Sequence, residues 1–171
     1  MNNLVERMIR AAKLDVNLYE EVEADKSALN QAMIVVAISS LAAGLGSLSR
    51  IGLGGLVSGT ILALVAWLIW AYLTYIIGTK LLPEQDTKSD YGELLRTIGF
   101  SSSPGIIRVL GIIPGLYTIV FAVSGIWMLV AMVVAVRQAL DYKSTLRTVG
   151  VCIIGWIIQA IVFWILFSIL G

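Results

Sequence analysis

The chain has no histidine, a single cysteine and three prolines, and only 13% of its 171 residues are charged. Without histidine there is no imidazole for acid–base catalysis or metal ligation. Cys152, the single cysteine, lies inside a long apolar run and has no partner for an intrachain disulfide. No HExxH, GxSxG or P-loop sequence occurs, and Arg108 is the one charged residue inside the apolar spans, which leaves no acid–base pair within them. No enzyme activity, cofactor or metal is therefore expected. A net charge of +1 with no basic block gives nucleic acid no foothold as a partner.

What is present is hydrocarbon. Apolar residues make up 58% of the chain, more than a soluble domain of this length can bury, so the lipid bilayer is the expected solvent. About thirty mostly polar residues precede the first apolar run, an arrangement unlike that of a cleaved secretory signal. Residues 1–29 read as a cytoplasmic segment and 30–171 as a membrane domain. Within it, 30–47, 57–77 and 149–170 are each long enough to cross about 30 Å of hydrocarbon at about 1.5 Å per residue. The run from Pro104 to Val136 is too long for one crossing and short for two.

Charge decides between them. If that run forms a hairpin, Arg7, Arg10, Lys13, Lys26, Lys80, Lys88, Arg96, Arg137, Lys143 and Arg147 share one side, with only Arg50 opposite. A single crossing would spoil that asymmetry, so the positive-inside rule predicts five membrane segments, a cytoplasmic N-terminus and Gly171 outside. The punctuation agrees. Ser103 and Pro104 read as N-cap and first helical residue, and Pro114 and Gly115 interrupt the run. Segment 104–114 is then short or re-entrant, and 116–136 is full length.

Arg108 sits one turn into the short segment, where a charge is a functional candidate. The main reading is a side chain that snorkels to the cytoplasmic headgroups and meets a lipid phosphate; the others are a substrate or ion contact, or a buried pair with an acid of the N-terminal segment.

Two amphipathic stretches lie outside the spans. Met1, Leu4, Val5, Met8, Ile9, Ala12, Val16 and Tyr19 form one stripe at helical spacing, read as an interfacial helix. Residues 90–98 place Tyr91, Leu94, Leu95 and Ile98 on one face of a connector helix that starts after Ser89 and stops at Gly99. Between them, Glu20, Glu21, Glu23 and Asp25 form an acidic turn, with Asn17 and Glu20 at capping-box spacing. Such a turn is a solvated face, docks on Arg96 or Arg147, or receives a basic partner protein. Ser40 with Gly44, and Gly55 with Gly59, predict close helix contacts, with a homo-oligomer as the second reading. Trp67, Trp70, Tyr72 and Tyr75 read as an interfacial aromatic belt.

The acidic segment before the first span, Tyr91-Gly92 and Gly99-Phe100 before Pro104, Ile113-Pro114, Trp127, and Ser144 with Arg147 together resemble the Yip domain family. Its members are five-span membrane proteins named for interaction with Ypt and Rab GTPases. The resemblance implies a non-enzymatic role in membrane organisation or trafficking, in a minimal, prokaryotic plasma-membrane member. The Asp-Leu-Tyr-Gly-Pro motif of eukaryotic members is missing, since Tyr91-Gly92 follows Asp90 and precedes Glu93. The expected fold is an all-α integral membrane protein with amphipathic cytoplasmic interfacial helices. Glu20, Glu21, Asp25, Tyr91, Arg96, Arg108 and Arg147 are the candidate contacts to partners or lipid, and Pro104 and Pro114 the structural breaks. The competing function is a small transporter or channel using the broken helix at Pro114 and Arg108.

Overall fold

The computed structural model describes residues 3–170; beyond Ile161 only Trp164 and Ser168 have described side chains, and Met1 and Gly171 lie outside the described residues. Those residues contain no strand. The helices are α1 (Leu4–Ala12), α2 (Val16–Ala24), α3 (Ala28–Gly46), α4 (Leu48–Ile76), α5 (Tyr91–Ser101), α6 (Tyr117–Ala139) and α7 (Thr145–Leu170). A π-helical turn, Ile77–Leu81, extends α4, and a 3₁₀ helix, Ser103–Ile112, follows α5.

Among the described residues, three helical stretches are long and apolar enough to cross a membrane: Ala28–Gly46, Leu48–Leu81 and Tyr117–Ala139. Large apolar side chains are exposed along α4 from Leu53 to Tyr72, along α6 to Val130, and along α3 and α7. On α4 that band spans nineteen rises, about 28 Å, close to the thickness of bilayer hydrocarbon. Beyond the band α4 and α6 continue into a polar cap, where Ile77, Ala135, Val136 and Leu140 are buried against the rest of the protein rather than exposed.

The cap gathers the Lys- and Arg-rich segments at one end. Glu84 accepts from the Lys143 backbone N–H at 2.9 Å, and Tyr142 donates its hydroxyl to the Gly78 carbonyl at 2.8 Å. Gln138 donates to Glu20 at 2.5 Å. At the opposite end α4 begins with a break at Gly52, whose φ of 64° and ψ of −178° are open only to glycine. Gly115, with φ 86°, turns the chain from the 3₁₀ helix into α6 at that same end.

Where the sequence pattern suggests one N-terminal stripe, the structure has two helices. Leu14 at φ 62° breaks the run, and α2 is capped by Asp15, which accepts from the Asn17 N–H at 3.0 Å. Asn17 thus lies inside the helix instead of capping it. The stripe is also split: Met8 is buried while Val5 and Ile9 face outward at the rim of the apolar band. Trp127 of α6 fixes that height by donating its indole N–H to the Ala12 carbonyl at 2.7 Å.

The connector helix differs more. Asp90 is its N-cap, in a capping box with Glu93, and the helix passes Gly99 to reach Ser101. Residues 94–101 are all buried, because Gly99 lets α5 sit on α3 with only Ala32 beneath it. The 3₁₀ helix continues along α3, with Gly105 against Ser39 and Gly111 against the Gly46 carbonyl. Helices in lipid associate through such close approach. The α5 and 3₁₀ segments therefore run beside α3 nearly to its end.

Candidate functional site

The first candidate surface is the acidic helix α2, built from charges that find partners inside the chain. Arg7, only 5% exposed, donates from Nε and Nη2 to Glu21 Oε1 (3.0 and 2.8 Å), from Nη2 to Asp25 (2.9 Å) and from Nη1 to Gln31 (2.9 Å). Arg10 donates to Asp15 at 2.8 Å and to Glu21 Oε2 at 2.7 Å. The Ser27 hydrogen bond and then Arg7 hold the Asp25 carboxyl below its usual range. Arg7 and Arg10 are three apart and Glu21 and Asp25 four apart, so each pair shares one helix face. That register was readable in the sequence, which pointed instead to Arg96 and Arg147.

Arg96 does reach α2, but through its backbone: it donates from Nε to the Val22 and Glu23 carbonyls (2.9 and 3.1 Å) and from Nη2 to the Glu23 carbonyl. It is a buried cation at a helix C-terminus, satisfying carbonyls that have no intrahelical partner. Arg147 lies elsewhere, donating to the Pro83 carbonyl at 2.7 Å beside Glu84. Tyr91 donates to the Leu68 carbonyl at 3.0 Å and meets Tyr72 edge-on. The structure thus brings Glu20, Glu21, Asp25 and Arg96 together around α2. Of these acids Glu20 is the exposed one.

Glu23, one acid of that turn, was not among the candidate contacts. Its Oε2 is buried without a hydrogen-bond partner, and burial, then Glu20, Glu93 and Asp141, push its carboxyl up to about 8. Folded protein holds this proton up to that pH, whereas unfolded chain releases it in the ordinary range near 4.3, so stability falls as pH rises between those values and then levels off. The slope is at most about 1.4 kcal/mol per pH unit. Melting temperature should drop from pH 6 to pH 9 in wild type, and Glu23→Gln should flatten that profile; an unchanged slope would place the titration elsewhere.

The second candidate is a cleft of about 530 Å³ among α3, α4, α5, α6 and α7, with Arg108 in its wall. Arg108 is not near the cap. Its carbonyl packs where a side chain at Gly46 would sit, at the far end of α3, because α5 enters the bundle and carries the 3₁₀ helix with it. Nε donates to Ser124 Oγ at 2.9 Å, and the guanidinium carbon lies 5.5 Å from the Phe121 ring centroid. Trp67 and Trp70 are buried and line this cleft rather than forming a belt. Trp67 is held there by donating to the Leu95 carbonyl at 3.1 Å.

Of the small-residue pairs, Gly44 does approach α4, with Leu56 3.0 Å from where its side chain would begin. Gly59 faces open space, and a side chain at Gly55 would meet only Ile51 one turn earlier. No cluster able to hold a metal occurs among the described residues.

A helical chain with membrane-length apolar spans and one ordered polar cap is an integral membrane protein. A family model described as the Yip1 domain matches residues 17–167, and the chain belongs to that family. Neither a curated protein nor a solved structure matches it. Membership suggests a membrane protein linked to trafficking.

Proposed function

We propose that the protein is a non-enzymatic scaffold or adaptor of a prokaryotic plasma membrane, presenting the exposed face of α2 to a cytoplasmic protein partner. The observation that carries this reading is the cap itself. Arg7, Arg10 and Arg96 hold α2 rigidly, while Glu20 stays exposed. A preformed surface loses less entropy on binding than a loose acidic tail would.

The membrane domain has five segments, with the N-terminus and cap cytoplasmic and the C-terminus outside. The Glu84–Lys143 contact supports this, since both connecting loops then emerge on one side. So does the passage of the α5–3₁₀ unit along α3. Cysteines introduced at Ser89 and Ser144 should both label from the cytoplasm, and labelling from opposite sides would remove the five-segment arrangement. For the partner role, a photo-crosslinker at Glu20 in native membranes should give one recurring protein adduct that is absent when the crosslinker replaces lipid-facing Ile61. Adducts that do not differ between the two positions would sink the scaffold reading.

A further inference from the structure

A cation inside hydrocarbon persists where something satisfies its charge. The Arg108 guanidinium meets a neutral hydroxyl and an aromatic face, and no ion pair involving it occurs among the described residues. No carboxylate lines the cleft among the described residues. Two of its serines are also committed: Ser40 donates to the Ala37 carbonyl at 2.9 Å and Ser101 to the Ile98 carbonyl at 2.7 Å. The charge-assisted donors available in the cleft therefore belong to Arg108, whose Nη groups form a fork matched to an oxyanion.

The cleft's shape narrows the ligand further. Its 530 Å³ falls within the roughly 300–1,000 Å³ of ligand sites. Trp67, Trp70, Met128 and Met132 give it an apolar wall. Leu129 and Trp156 belong at once to the lining and to the exposed apolar band, being 37% and 41% exposed. The cleft thus opens toward lipid, where a free anion is scarce and an amphiphile is abundant. Ser124, which orients the guanidinium, lies seven rises into α6, about 10 Å from its start at Tyr117.

We infer that this cleft binds a membrane lipid with a net-anionic headgroup, the Arg108 fork holding the anion and the aromatic wall taking an acyl chain. It goes beyond the scaffold reading, and its failure would leave the Glu20 surface untouched.

The full chain in detergent micelles should be exchanged against dioleoylphosphatidylglycerol, dioleoylphosphatidylcholine, oleate or inorganic phosphate, with bound molecules counted by native mass spectrometry. Wild type should retain phosphatidylglycerol or oleate about tenfold over phosphatidylcholine. Whichever of the two is held more tightly identifies the headgroup as phosphate or carboxylate. Arg108→Gln should lose the preference and Arg108→Lys keep part of it. Ala66→Phe, which fills the wall and leaves Arg108 in place, should lower retention of all lipids, and it carries the test if Arg108→Gln fails to fold. Equal retention of phosphatidylcholine, a preference that survives Arg108→Gln, lipid retention unaffected by Ala66→Phe, or inorganic phosphate displacing the lipid at equal concentration would each overturn the inference.

Discussion

Gly46→Ala is expected to destabilise the packed fold strongly while Gly59→Ala leaves it intact. A methyl group at Gly46 overlaps the Arg108 carbonyl oxygen, and the Phe121 ring closes the space behind it at 3.3 Å. A clash with a flexible side chain is relieved by a rotamer change, but this one opposes backbone, so α3 and the 3₁₀ helix must separate. Overpacking typically costs about 1–3 kcal/mol, and the backbone partner puts this substitution at or above the top of that range. At Gly59, on the same bundle, an added methyl meets nothing within 4 Å. Replacing glycine inside a helix there should gain up to about 1 kcal/mol. Thermal unfolding in detergent followed by tryptophan fluorescence would separate the two. Equal melting temperatures would mean that the α3–3₁₀ seam contributes little.

Those two glycines also show where sequence reading ends. Small residues four apart signal helix contact, yet Gly59 faces outward, while the tight seams at Gly46, Gly99 and Gly105 pair segments that are distant along the chain. Nothing local distinguishes a glycine under another backbone from one facing lipid. The α5 helix failed for a related reason. Its apolar face at Tyr91, Leu94, Leu95 and Ile98 is what a surface helix shows, and also what a helix seated among α3, α4 and α6 shows. Burial of Thr97 and Ser101 is invisible in such a pattern because their hydroxyls bond to carbonyls of their own helix, Thr97 to Glu93 at 3.0 Å and Ser101 to Ile98 at 2.7 Å.

Charge was more legible than packing. The Lys- and Arg-rich segments converge at one end of the bundle, as their distribution along the chain requires. The acid partners were misassigned because Arg7 and Arg10 were read only as charges that set the membrane topology. Leu14 folds α1 back on α2, and that turn brings the arginines onto Glu21 and Asp25. A leucine in the left-handed region carries no sequence signal.

Removing one member of this network should have the largest effect in the cap. Arg7→Met keeps much of the apolar stem but deletes hydrogen bonds to Glu21, Asp25 and Gln31 at once. Breaking a fully buried pair costs about 3–5 kcal/mol; here Glu21 and Asp25 are 29% and 31% exposed and partly rehydrate, which lowers the expectation to about 2 kcal/mol. Glu21 keeps Arg10, so α2 loosens without being expelled. Hydrogen exchange should therefore speed up through α1 and α2 while α4 and α6 keep their protection. Lys143→Ala supplies the contrast, since its pair with Asp86 is 81% and 62% exposed and, screened by water, contributes little to stability. Arg7→Met with protection of residues 4–24 unchanged would mean that the cap is held by its apolar contacts at Met8, Leu18 and Val22, with the charges contributing nothing measurable.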